Sequence, residues 1–83
     1  MEIHGWVLFE DDEGCVVAKK SLEGDGYRVE LQPQDGGTVI LAVPPESVSL
    51  DLLTARLRTL AAHFDGEFLG SGGSHQVVLK RQS

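Results

Sequence analysis

The run Glu10-Asp-Asp-Glu13 gathers four adjacent carboxylates, the oxygen-rich donor type that hard cations such as calcium and magnesium prefer. It lacks the alternating ligand spacing of a calcium loop, and the simpler reading is an acidic turn whose carboxylates cap a following helix. Gly70-Ser-Gly-Gly-Ser74 offers backbone amides of the kind that cradle an anion when they open a helix. The residues after it read as strand, so a bulge or connection within a last strand is expected instead. His4, His63 and His75 are far apart and lack the short spacing of metal ligands. Nucleophilic chemistry at Cys15 would need a base beside it and a depressed thiol pKa. Its acidic neighbours work against that, and it reads as a small buried hydrophobe. No catalytic, cofactor-binding or metal-ligating residue is therefore expected, and the chain does not read as an enzyme.

The elements that would position any of these groups are legible from periodicity. Ile3 to Glu10 is rich in aromatic and β-branched residues and reads as a first strand. In residues 12–23, Cys15, Ala18 and Leu22 fit a helical face, capped by Asp11 or Asp12 and closed by Gly24. The Val16-Val17 pair favours the rival reading, a hairpin across Asp11 to Gly14. Tyr27, Val29 and Leu31 alternate with Arg28, Glu30 and Gln32 in a half-exposed strand. The turn residues Pro33-Gln-Asp-Gly-Gly37 then join it to the apolar run Thr38 to Val43. Pro44-Pro45 breaks that strand. Ser47 or Ser49 caps a second helix with the apolar stripe Leu50, Leu53, Leu57, Leu60, Ala61 and Phe64, and Gly66 is placed at its left-handed end. Glu67-Phe-Leu begins a last extended piece that Gly70 to Ser74 interrupts and His75 to Lys80 completes.

The order is β-α-β-β-α-β, which predicts an α+β, ferredoxin-like sandwich with a four-stranded antiparallel sheet and two helices on one face. Strands one and three are expected in the centre, with the charged alternating strand at an edge. Residues 1–83 read as one domain, and 41% hydrophobic content with 24% charged is that of an ordinary globular chain.

A net charge of −6 with seven scattered basic residues excludes a general affinity for nucleic acid, which needs clustered Lys and Arg. A basic protein segment is electrostatically favoured as a partner. No apolar run approaches the ~18 residues of a membrane span, and Met-Glu-Ile-His-Gly is no signal sequence. A cytoplasmic protein is expected, and one cysteine fits a reducing compartment.

Two helices on one face leave the other face to water or a partner. In strand one, Ile3, Val7 and Phe9 share one side and His4, Trp6 and Leu8 the other. In strand three, Val39, Leu41 and Val43 oppose Ile40 and Ala42. One apolar set must lie outside the core, where such a patch marks an interaction surface. The residues assigned to partner binding are Trp6, as anchor, with Leu8, Ile40, Phe68 and Gly70. The same face offers a route to a homodimer.

Gly26-Tyr-Arg-Val-Glu-Leu31, the hairpin after it, and Leu57-Arg-Thr-Leu-Ala-Ala-His-Phe-Asp-Gly-Glu-Phe68 together resemble the RraB family, regulators of ribonuclease E activity. Leu60-Ala61 match the family's late helix, Gly66-Glu67 its Gly-Glu pair, Phe68 stands for its tyrosine and Gly70 matches a later glycine. Leu69 and Ser71 replace the aspartate and tryptophan of the family's Asp-Gly-Trp element. The resemblance implies a ferredoxin-like fold and regulation through protein contact, with a ribonuclease or its scaffold region as the partner. The alternative is an ACT-like, small-ligand-sensing homodimer.

Overall fold

The computed structural model describes residues 3–73 and is α+β. Its elements are β1 (Ile3–Phe9), α1 (Asp12–Gly24), β2 (Arg28–Gln34), β3 (Gly37–Val43), α2 (Leu50–His63) and β4 (Glu67–Gly73). The strands form one antiparallel sheet in the order β2-β3-β1-β4, with β1 and β3 central. This order and the two helices are compatible with a ferredoxin-like fold. Among the described residues no helix is long and apolar enough to cross a membrane.

Residues 12–23 are helical, and the hairpin alternative falls. Asp11 caps α1, its carboxylate accepting from the Glu13 amide at 3.2 Å, so the acidic run is partly spent on the exposed amides of the first turn. The end of α1 differs from expectation. Gly24 is its last helical residue, and the left-handed position belongs to Gly26 at φ 89°. The Gly26 amide donates to the Glu23 carbonyl and the Tyr27 amide to that of Leu22, each at 3.0 Å. Tyr27 and Leu22 both join the core, the apolar contact that accompanies this kind of helix end.

Helix α2 is capped by Ser49, whose hydroxyl accepts from the Leu52 amide at 3.2 Å. Its left-handed residue is Asp65 at φ 59°, not Gly66. Glycine is required at 66 for space, because a Cβ there would lie 2.5 Å from the Phe9 ring and 3.0 Å from the Leu8 carbonyl oxygen. Gly5 plays the matching part in β1, where an added Cβ would collide with a Leu57 methyl of α2.

Cys15, Ala18 and Leu22 of α1 and Leu53, Leu57, Leu60 and Ala61 of α2 join one cluster with Val7, Phe9, Ile40 and Ala42 of the sheet. Leu31 was expected on the core side of its strand, yet it is 41% exposed, because β2 is the sheet's edge. The same edge position admits Pro33 within β2, paired with Thr38. Strand β4 runs continuously through Gly70 to Gly73, and a bulge of the kind expected shifts its register against β1 just before Gly70. The expected continuation, from Ser74 through His75 to Lys80, lies outside the described residues.

Candidate functional site

Cross-strand register turns the sheet face carrying Trp6 into a grid of three rows. Arg28 pairs with Val43 and His4 with Gly72 in the first, and Glu30, Leu41, Trp6 and Gly70 are neighbours in the second. Gln32, Val39, Leu8 and Glu67 complete the third. The alternate rows carry Gly5, Val7, Ile40 and Ala42, all buried. Burial along β1 alternates from His4 onward, with His4, Trp6 and Leu8 half-buried and Gly5, Val7 and Phe9 buried. None of the Trp6 rows contributes to the core cluster or to the hydrophobics packed against it. The two central columns are apolar apart from His4.

Two of the five residues expected in a partner surface lie elsewhere. Ile40 is wholly buried and pairs with Val7 on the core side. Phe68 also pairs with Val7, packs against the core, and lies under the Arg58 guanidinium, whose carbon is 5.1 Å from the ring centroid. Trp6, Leu8 and Gly70 do share the grid. Leu41 takes the place of Ile40 beside Trp6, and Val43, on the same side of β3, is partnered by Arg28.

Among the described residues, the flank of Trp6 toward β4 is bare. The β1–β4 register shifts by one residue between Trp6 and Val7, so Leu69 has no partner on β1 and stands 43% exposed. Gly70 follows this bulge at φ 155°, a backbone state that disfavours a side chain. A Cβ at Gly70 or Gly72 would meet nothing within 4 Å. The indole and the imidazole, with ring centroids 5.6 Å apart, therefore have glycine rather than a side chain as their cross-strand neighbours on β4. On the β2 side, an open depression of about 400 Å³ is lined by Glu23, Tyr27, Arg28, Val29, Glu30, Leu41 and Val43.

The remaining reactive groups are held in structural settings. Cys15 is 3% exposed, and burial, reinforced by Asp12 and opposed by Lys19, pushes its thiol pKa up, which disfavours the nucleophilic thiolate. His63 packs edge-on against Phe64 at 4.7 Å between centroids. Among the described residues, no group of three or more His, Cys, Asp or Glu is arranged to hold a metal. His75 lies outside them.

Sequence reasoning missed Arg56, which sits on α2 and reaches α1. Its guanidinium donates to Ser21 Oγ at 3.0 Å and pairs with Asp25. Thr54 similarly ties α2 to β4 through Ser71, with the hydroxyl oxygens 2.6 Å apart. Partners so distant in the chain leave no periodic signal.

Charge is unevenly placed around the grid. Antiparallel alternation gathers the end of β1, the start of α1, the β2–β3 turn, the end of α2 and the start of β4 at one end of the molecule. Glu10, Asp11, Asp12, Glu13, Asp35, Asp65 and Glu67 lie there, all exposed. The turns 10–14, 34–37 and 64–67 contain no Lys or Arg. A scan of protein-family models finds no match to this chain, and neither the curated proteins nor the solved structures contain one.

Proposed function

We propose that this chain is a non-enzymatic regulatory module of the cytoplasm that acts by docking a protein on the Trp6 face of a ferredoxin-like sandwich. The carrying observation is the apolar double column of half-buried Leu41, Val43, Trp6 and Leu8, with Val39 of the same face buried, which lies outside the monomer's core cluster and is bordered, among the described residues, by bare glycine backbone. Aromatic anchors in such settings dominate binding energy at interfaces. The RraB resemblance supports the same reading and extends it to an inhibitor-like regulator of a ribonuclease.

A photo-crosslinking residue at Leu41 tests it in cells. It should capture a second protein, while the same residue at exposed Thr59 on α2 should not, and Trp6→Ala should abolish the capture. Equal capture from both positions would remove the face from consideration. The ligand-sensing alternative is favoured by the depression beside Leu41 and Val43, whose volume falls within the range of small-molecule sites. Thermal-shift screening against metabolites separates it from protein docking.

A further inference from the structure

We infer that the occupant of the Trp6 face is a cationic amphipathic helix of another protein, an inference that rests on the docking reading above and gives the partner its chemistry. The shape of the face suits a helix. The apolar part of the grid is two strands wide, roughly 10 Å at the usual strand spacing, which matches the diameter of a helix. Along β1, from half-buried His4 to Leu8, the grid runs about 14 Å, or some two and a half helical turns. A sheet face is covered well by a helix, as α1 and α2 cover the opposite side here.

Charge around the face suits a basic segment. Glu30 stands beside Leu41 and Glu67 beside Leu8. Glu10 directly follows β1, and Asp35 forms the turn between β2 and β3. The apolar floor thus opens onto the carboxylate-rich end of the molecule, and Arg28 is the only Lys or Arg among the residues of the grid. A segment with an apolar stripe and Lys or Arg along its flanks satisfies both the floor and the border.

A second copy of this chain fits less well. Two faces stacked about an axis along the strands bring both acidic ends to the same side. Stacked about an axis across the strands and through the central row, Glu30 lies opposite its own copy. Like charges brought together across an interface oppose association.

Trp6 is the only tryptophan, so its emission reports the face directly. The probes are three synthetic amphipathic helical peptides with the same leucine stripe, whose polar positions are Lys, Gln or Glu. The lysine peptide should shift Trp6 emission to the blue and saturate. Its affinity should fall about tenfold or more when salt rises from roughly 0.05 M to roughly 0.5 M. Glu10→Gln with Glu67→Gln changes only exposed charge and should weaken it several-fold. Leu41→Asp, with an unchanged far-ultraviolet circular dichroism spectrum, should abolish the shift.

Acceptance of the glutamine or glutamate peptide in preference to the lysine one, or equally with it, overturns the inference and leaves the docking reading standing. Refusal of all three also overturns the inference, and capture at Leu41 then decides the docking reading separately. Lysine-peptide binding that Leu41→Asp retains would mean attraction to the border alone, and a dimer in sedimentation with Trp6 already shielded would assign the face to a second copy. Either result ends the proposal.

Discussion

At the scale of single residues, the buried ionisable groups make a statement about pH. Burial is the main cause that raises the Cys15 thiol above its ordinary 9.0, with Asp12 adding to it and Lys19 opposing it. Burial likewise lifts the Tyr27 phenol above its ordinary 10.0, against the pull of Arg56 and with help from Asp25. The unfolded chain surrenders both protons at lower pH than the folded one. Their contribution to stability is therefore intact below about pH 9 and is lost as pH rises through the raised values. Denaturation midpoints should hold level to about pH 9 and then decline, less steeply in Cys15→Ala and Tyr27→Phe. A wild-type midpoint that stays level to about pH 11 would contradict the burial of both groups. The core position of Cys15 was legible in its spacing from Ala18 and Leu22. Ile40 was not so legible, because β3 is apolar on both sides, and pairing with Val7 rather than alternation decides which side meets the helices.

At the scale of elements, the ends of the helices show what a local pattern can and cannot specify. A glycine near the end of an amphipathic run is a sound signal that the helix stops. Which residue turns left-handed depends on where the next apolar side chain can return to the core. In α1, Tyr27 must fold back onto Leu22, and this sets Gly26, two residues beyond Gly24, as the left-handed position. In α2, the short route into β4 puts Asp65 there and leaves Gly66 pressed against Phe9. Gly24→Ala should thus stabilise the protein by about 0.5–1 kcal/mol, since the site is helical and a Cβ there meets nothing within 4 Å. Gly26→Ala, forced to φ 89°, should destabilise it by about 1 kcal/mol or more. Urea denaturation of the two variants reads the difference, and a reversed order would restore Gly24 as the left-handed residue. Element order was clear in the sequence where a run kept one period, as in β2 and α2, and less so in residues 12–23, where the Val16-Val17 pair left a hairpin open. The β4 bulge was only partly clear, since glycines mark a weak strand without saying where the register slips.

At the scale of the whole molecule, topology converts scattered acidic residues into a polar object. Seven of the thirteen carboxylates collect at one end of a body only 32 × 28 × 18 Å. The charge total was legible in composition, but its placement required the antiparallel order of four strands and two helices. With a Debye length of roughly 30 Å at 0.01 M salt, these groups repel one another across the entire molecule, whereas at 1 M salt the length is roughly 3 Å and they do not. Ion pairs that salt would weaken, such as Lys19–Glu23 and Arg56–Asp25, are partly exposed and each worth little, about 0–1 kcal/mol. Repulsion therefore outweighs attraction, and added potassium chloride should raise the thermal midpoint. Relief of about 1 kcal/mol corresponds to roughly 4–8 °C in a domain of this size. The rise should shrink in Glu10→Gln with Glu67→Gln, which thins the acidic end without touching the core. A midpoint that falls with salt, or a rise that this variant leaves undiminished, would show that the carboxylate end is not under strain. The cationic helix inferred for the Trp6 face would then gain nothing from relieving it.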